Sequence, residues 1–394
     1  MKFLHTSDWH IGKSLKGRSR LDDQEAVLRE VVGIARDNEV DAVLVAGDVY
    51  DSAAPSAEAQ RLAVQTLLGF QRTGAEVIVI AGNHDHPRSF EAYRPLMGAA
   101  GITMVGTPRR ADKGGVIAFN ARGTGEPVRV AVLPFLSQRF AIRAAELVTQ
   151  TPAQNAARYD QVVRDLLTAL RSGFSDEAVN LVLAHLTVTG GQLGGGERLA
   201  QSIFDYYVPA TAFPADAHYV ALGHLHRRQT LPAPCPVEYC GSPLAVDFGE
   251  QDNTPVVRVV TASPGTPASG VDIPVTTGRR LRTVRGTVAE LADGAAEYGD
   301  AYLRVWVREP ARAGLREQVQ EVLPNALEVR IDPEFAAAAA AAAAGDRPSR
   351  PSTGQRGPGE LFHEYLGSQN VADDRVERLF ARLHDEIVGA ERDG

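Results

Sequence analysis

The chain has 394 residues, enough for two or three domains and too many for one typical core. Its hydrophobic share of 44% and charged share of 23% suit an ordinary soluble globular protein, and no apolar run is long enough to span a bilayer. A net charge of −8 argues against coating nucleic acid through bulk positive charge, although bound cations and local basic clusters leave a nucleic-acid enzyme open.

The N-terminus, MKFLHTSDWH, lacks the apolar stretch and small-residue cleavage site of a signal peptide. It reads as a first strand, and a cytoplasmic location is expected. The segment GKSLKGRSR then gathers Lys13, Lys16, Arg18 and Arg20 in a loop that is either simply solvated or contacts phosphate. Apolar residues at 27, 28, 31, 32, 34 and 35 predict a helix in DDQEAVLREVVGIARDNEV. DAVLVAGD is a continuous apolar run that stops at Gly47, as a buried strand would. SAEAQRLAVQTLLGFQRTG predicts a second amphipathic helix, with Ser56 as N-cap and Gly74 as its stop. AEVIVIAGNHD predicts a third strand, and this strand–helix alternation points to an α/β layered sheet.

Further strands are predicted at RVAVLPF, AVNLVLAHL and AHYVALGHL, with helical material near 155–172. VEYCGSPLAVDF and PVVRVVTA read as later strands that close the sheet system near residue 262, and SPGTPASG reads as a turn-rich break. Cys235 and Cys240, in CPVEYC, fit neither a CxxC redox pair nor a four-ligand zinc site and are expected to be reduced and structural. From 275 to 335 comes a smaller mixed unit. LRTVRGTVAEL opens it, AYLRVWVRE and ALEVRIDP are its strands, and RAGLREQVQEVL is a helix between them. Nine alanines at 336–344 could continue a helix, whereas GDRPSRPSTGQRGPG cannot pack a core and reads as a linker. Two short amphipathic helices follow. Leu361, Phe362, Tyr365 and Leu366 face one way on the first, and Val376, Leu379, Phe380, Leu383 and Ile387 form a stripe on the second. Such helices either dock back on the body or bind a partner, and the partner is the preferred reading.

Chemistry gathers at the strand ends. The first predicted strand leads to Asp8 and His10, the second to Asp48, and the third to Asn83, His84 and Asp85. A later strand ends at His185, and the last, in HYVALGHLHRR, at His224 and His226. Each piece has a plain alternative: GD after a strand is common, a lone histidine there is usually just hydrogen-bonded, and His218 reads as ordinary. Open α/β sheets, however, bind ligands beyond the carboxyl ends of their strands, so five ends bearing Asp, Asn or His point to one place. A sulfur-free set of carboxylate, amide and imidazole groups suits manganese or iron as well as zinc. Seven candidate ligands exceed one tetrahedral site and suit two ions, with Asp48 the natural bridge. Two such ions about 3.5–4 Å apart clamp a phosphoryl group and activate a bound water. His84 could face the substrate as an acid or transition-state stabiliser, with Asp85 orienting its imidazole.

The order D-x-H, GD, GNHD, a lone His and GH-x-H resembles the calcineurin-like metallophosphoesterases. Within them, LHTSDWHIGK, VDAVLVAGDVYD, AGNHD, YVALGHLHRRQ and YCGSPLAVDF are similar to the bacterial SbcD nuclease family, the counterpart of the archaeal and eukaryotic double-strand-break repair nuclease. The resemblance implies a layered metallophosphoesterase β-sandwich flanked by helices over 1–265. It further implies a small α/β capping domain over 275–335 that serves as a DNA-binding accessory, an Ala/Pro/Gly-rich linker over 336–357, and C-terminal helices over 358–394. Asp8, His10 and His226 resemble the ligands of a first ion, Asp48 the bridge, and Asn83, His185 and His224 the ligands of a second. His84 resembles the family's catalytic histidine, with Asp85 its partner. Asp51 stands where archaeal relatives carry a histidine, and its role stays open. The implied activity is manganese-dependent cleavage of DNA, exonucleolytic on duplex ends and endonucleolytic on single strands and hairpins. The implied partners are SbcC, an SMC-like ATPase bound by the C-terminal helices, and a second copy of the nuclease domain. Two rivals remain in view: a phosphatase or phosphodiesterase of small phosphoesters or cyclic nucleotides, and a scaffold that keeps the fold without activity.

Overall fold

The computed structural model describes residues 1–137, 152–196 and 207–338, together with Phe362, Leu366, Val376, Leu379 and Phe380. The larger sheets are built, in chain order, from β1 (Lys2–Thr6), β2 (Ala42–Val45), β3 (Glu76–Ile80), β4 (Ile102–Val105), β5 (Val116–Asn120), β6 (Pro127–Leu133), β7 (Val179–His185) and β8 (Tyr219–Gly223). They continue with β9 (Gln229–Leu231), β10 (Val237–Tyr239), β11 (Val256–Ser263), β12 (Thr266–Pro274), β13 (Leu281–Gly286), β14 (Tyr302–Val307) and β15 (Ala326–Ile331). One six-stranded sheet runs β12-β11-β1-β2-β3-β4 and a second runs β9-β10-β8-β7-β6-β5. β1 to β4 are parallel, as are β6, β7, β8 and β10. Antiparallel pairing is confined to the margins.

The sheets stack because their strands bury both faces. Leu44, Ile78 and Ile80 from one sheet meet Val130, Val132, Leu181 and Leu183 from the other in a shared interior. The alternate residues Val43, Val45, Val77 and Val79 face outward, against Val27 and Leu28 of α1 (Leu21–Asp37) and Leu62 and Phe70 of α2 (Ala57–Arg72). Beyond β3 follows α3 (Pro87–Ala99). The outer face of the second sheet places Val182 and Val220 against Val163 and Leu167 of α4 (Pro152–Arg171). Burial on both faces is why AVLV and EVIVI read as near-unbroken apolar runs. Ser56 caps α2 as expected, its hydroxyl accepting from Ala59 N at 3.2 Å.

Two local expectations need correction, and one helix goes unpredicted. SPGTPASG is the tip and start of a hairpin, β11 turning into β12. β12 is silent in the sequence because it is an edge strand whose residues are mostly exposed, so its backbone bonds to β11 leave no apolar alternation to read. In VEYCGSPLAVDF only Val237–Tyr239 is strand. α3 is silent for the reason that hides β12: only Phe90 and Met97 are buried along it.

A smaller sheet, β13-β14-β15, is parallel throughout. Its side chains Val284, Val305 and Leu303 pack with Leu291 of α5 (Val288–Asp293) and Val319 of α7 (Leu315–Val322), with the short α6 (Ala295–Tyr298) between those helices. A second cluster of Leu15, Phe248, Leu281 and Tyr302 joins it to the main sheets, and Met1–Pro333 forms one compact unit. This junction also revises the basic loop. Arg20 is 1% exposed. Its guanidinium donates to Asp23 Oδ2, Ala245 O and Arg279 O at 2.7–2.9 Å and lies over the Tyr302 ring. Lys16 pairs with Glu328 at 3.3 Å and Lys13 with Asp51 at 3.0 Å. Arg18 remains exposed. Three of the four cations are thus paired within the chain.

Glu334–Gly394 forms a second unit. Residues 333–338 are helical, and the rest of the expected linker lies outside the described residues. Of the two expected C-terminal helices, Phe362, Leu366, Val376, Leu379 and Phe380 are helical, and the remaining positions also lie outside the described residues. Phe362 and Phe380 stack with centroids 4.0 Å apart, and Leu366 is buried.

A buried polar chain crosses between the sheets below the strand ends. His5 on β1 contacts Tyr219 Oη at 3.0 Å and Leu222 O at 3.1 Å on β8. Tyr219 donates to Glu238, which pairs with Arg258 and Arg228. Burial pushes the His5 imidazole from its usual 6.5 down to about 3. Between those values the unfolded chain takes up a proton that the folded one refuses, so stability held above the usual value is lost as pH falls towards about 3. His5→Gln should flatten that decline by up to about 1.4 kcal/mol per pH unit. Denaturant midpoints of both proteins between neutral and mildly acidic pH would check this, and equal slopes would refute it.

Candidate metal centre

The five strands predicted to carry ligands are β1, β2 and β3 of one sheet and β7 and β8 of the other, all central and parallel to their ligand-bearing neighbours. The β1 and β2 chains stay paired beyond the strands: Asp8 N donates to Gly47 O, His10 N to Asp48 O and Ile11 N to Val49 O, at 2.9–3.1 Å. Asp8, His10 and Asp48 therefore leave side by side. Their backbones are unusual. Asp8 (φ 53°), His10 (φ 45°), Asp48 (φ 50°) and His224 (φ 105°) all adopt positive φ, which non-glycine residues seldom do. Strain of this kind persists only where the surroundings enforce it, and it concentrates at functional sites.

The glycines in GN and GH have a packing reason. A Cβ on Gly82 would lie 2.1 Å from Asp48 Oδ1, and one on Gly223 would lie 1.9 Å from Ala46 O. The strand ends approach so closely that no side chain fits between them.

The predicted ligands meet. Asp8, His10 and His226 present donor atoms within 4.8 Å of one another, and so do Asp48, His185 and His224. Asp48 Oδ2 lies 3.7 Å from His10 Nε2 and 3.5 Å from His185 Nε2, between the two groups. His10 Nε2 and His226 Nε2 are 3.0 Å apart. Asn83 Oδ1 sits 2.9 Å from His185 Nε2 and 2.8 Å from His224 Nδ1. His84 joins His10 and Asp48 in a third group, its ring edge-on to His10 at 4.7 Å. Asp8, His10, Asp48, His185 and His226 are buried, whereas Asn83, His84 and His224 are half-buried, so the Asn83–His224 side is the more open one.

This donor set fits divalent cations. Burial, reinforced by the Asp85 and Asp8 charges, pushes the Asp48 carboxyl well up. Burial likewise pushes His10 down to about 3 and His185 well down, so these imidazoles are neutral and keep a lone pair for a metal. Buried carboxylates set among neutral imidazoles need a cation to offset their desolvation. The site is built for two divalent ions, with oxygen and nitrogen donors and no sulfur.

Several imidazoles are held from behind. His185 Nδ1 is 2.7 Å from Ala46 O, His84 Nδ1 is 2.8 Å from Asp51 O, and His226 Nδ1 is 2.5 Å from Glu250 Oε1. Such partners set the tautomer and the direction of the opposite nitrogen. Phe135 stacks on His224 and meets His185 edge-on. Glu250 and Phe135 are not legible in the sequence, because neither lies beside a ligand in the chain; DFGE and LPF carry no metal signature. Asp51, whose role the sequence leaves open, has a clear position: its carbonyl holds His84, and its carboxylate lies 3.7 Å from His10 Nδ1.

Asp85 has a task that the sequence did not show. Its Oδ2 accepts from Gly82 N and Val49 N and its Oδ1 from Tyr50 N, at 2.9–3.2 Å. It clamps the β2 and β3 exits together, and the Asp51 carbonyl holds the His84 imidazole at Nδ1. Burial nonetheless pushes the Asp85 carboxyl up to about 6. Both cysteines are free and buried, in keeping with the structural reading. His218 Nδ1 lies 3.0 Å from Asn180 N and its Nε2 3.2 Å from Gly265 N, away from the centre.

Residues 1–228 match the family model of the calcineurin-like phosphoesterases. The chain is 37% identical to SbcD, a subunit of the SbcCD nuclease, from Bacillus subtilis (strain 168) over 285 residues, 71% of each chain. Identity to SbcD of Escherichia coli (strain K12) is 29% over 316 residues, 76% of this chain and 74% of that one. For SbcD of Rhodobacter capsulatus it is 35% over 261 residues, 64% of each. All three spans exceed the stretch that the family model matches, so the likeness reaches beyond the metal-bearing strands.

Asp85→Ala would leave three backbone donors without their acceptor, each costing about 1–3 kcal/mol. The expected result is a loss of at least about 3 kcal/mol in chelator-treated protein, measured by urea denaturation, with His84→Ala far milder. Equal losses would return Asp85 to a role through His84.

Proposed function

The chain belongs to the calcineurin-like phosphoesterases, and from that premise we propose that it is the nuclease subunit of an SbcCD-type complex, hydrolysing DNA phosphodiester bonds at a two-metal centre. The observation that carries the reading is Asp48 Oδ2, set between His10 and His185 in a buried pocket of neutral imidazoles. Asp8, His10 and His226 would hold the first ion and Asn83, His185 and His224 the second, with Asp48 set to serve both. Such ions would supply polarisation of the phosphoryl oxygens and a lowered pKa for a water nucleophile.

The protein's own groups do the rest. The Ala46 carbonyl and the Glu250 carboxylate keep His185 and His226 in a fixed tautomer. His84 sits half-buried at the rim, anchored through Nδ1 on the Asp51 carbonyl. From there it faces the scissile phosphate and steadies the developing charge or protonates the leaving oxygen. Phe135 packs its ring against the His224 and His185 rings.

Of the ions that this oxygen- and nitrogen-rich set suits, manganese is the one proposed here. The activity is exonucleolytic on duplex ends and endonucleolytic on single strands and hairpins, in cytoplasmic DNA end processing, repair and recombination. Residues 275–335 form the capping domain that meets DNA, and helices within 358–394, tethered through 336–357, bind the SMC-like ATPase SbcC. A homodimer of the nuclease domain is supported by the large apolar side chains exposed on α3, Tyr93 at 39% and Leu96 at 66%.

Hairpin DNA cleavage with manganese and the ATPase partner, set beside nitrophenyl phosphate hydrolysis, tests the reading; turnover of only the small ester would overturn it in favour of a small-phosphoester hydrolase. Two variants test the residue roles. His84→Gln should keep both ions and lose about 10²–10⁴-fold in cleavage. Asp48→Ala should lose metal, read by calorimetric titration; unchanged metal content would remove the bridge.

A further inference from the structure

Glu250 lies outside every motif that carries a candidate ligand, yet it is only 1% exposed. Its Oε1 meets His226 Nδ1 at 2.5 Å, and its Oε2 accepts from Val246 N at 2.8 Å, which fixes the carboxylate plane. A carboxylate behind a ligating imidazole holds the opposite nitrogen on its metal and strengthens it as a donor. That nitrogen, His226 Nε2, is the one that faces His10.

The residues around Glu250 lead to a different part of the protein. Phe248–Glu250 is a single 3₁₀ turn, capped by Asp247, whose side chain accepts from Gly249 N at 2.9 Å. Phe248 packs with Leu15, Leu281 and Tyr302, and the Arg304 guanidinium lies 4.7 Å above its ring. Gln251 Oε1 accepts from Thr283 Oγ1 at 2.7 Å. Leu281 and Thr283 are on β13, and Tyr302 and Arg304 are on β14. One capped turn therefore has Phe248 and Gln251 seated on the small parallel sheet and Glu250 seated on a metal-site histidine. So short a turn cannot shift at Phe248 and stay still at Glu250.

We propose that Glu250 is the positioning residue for His226, and that the Asp247–Gln251 turn makes metal affinity at the Asp8–His10–His226 half-site depend on the seating of the small sheet. This rests on the two-metal reading given under Proposed function. Displacement of the β13–β15 sheet, by DNA or by a partner, would then loosen one ion and spare the other.

The test uses the full chain, stripped with chelator and titrated with manganese chloride by calorimetry and electron paramagnetic resonance, with thermal melting of the metal-free protein as the folding control. Glu250→Gln preserves shape and removes the charge. It should melt close to the unaltered protein, still bind two ions, and bind one of them about 10–100-fold more weakly. Phe248→Ala should weaken the same ion by a smaller factor without touching the metal shell. If Phe248→Ala fails to fold, Thr283→Val, which deletes only the link to Gln251, decides in its place. Unchanged affinities in Glu250→Gln would overturn the positioning role. A weakened ion in Glu250→Gln with wild-type affinities in the sheet-side variants would overturn the coupling. An unaltered protein that binds no manganese would instead overturn the two-metal reading itself, a result distinct from either.

Discussion

The centre depends on one buried charge. Asp48 lies 1% exposed at the end of β2, close enough to the Asp8 and Asp85 charges that burial and repulsion both oppose its ionisation. A carboxylate in that setting is tolerable only where cations offset it, and its Oδ2 faces imidazole nitrogens from both sheets. The features around it serve to hold this oxygen between the two ligand groups.

The backbone does much of the holding. Ligands at positive φ turn their side chains inward where an extended chain would carry them past each other, and the glycines let the strand ends close to a few ångströms. Asp85 then gathers three backbone donors from the two loops. A motif such as GNHD thus joins distinct tasks in four residues: room for Asp48, an amide oxygen for the second ligand group, a half-exposed imidazole, and a clamp.

Support reaches the site from outside as well. His5, Tyr219, Glu238 and Arg258 pin β1 to β8 just below the ligands. Arg20 ties the first loop to the small sheet. Main sheets and small sheet therefore share one packed unit, with Phe248 at the joint.

The main strands and helices, and the convergence of Asp8, His10, Asp48, Asn83, His185, His224 and His226, were legible in the sequence. Buried parallel strands leave continuous apolar runs, and ligands follow the carboxyl ends of such strands, so local pattern and topology carry the same message. β12 and α3 were not legible, because exposed edge elements are held by backbone bonds that leave little apolar pattern. Nor were Glu250 and Phe135, or the clamp that Asp85 makes. A side chain that works by touching a residue far along the chain leaves no periodicity and no spacing, and its role exists only once folding brings the two together. The residue types and strand ends that make the chemistry were set by the sequence itself. Which groups hold those residues in place was decided by the tertiary structure, since hydrogen bonds between distant segments are made only in the folded chain.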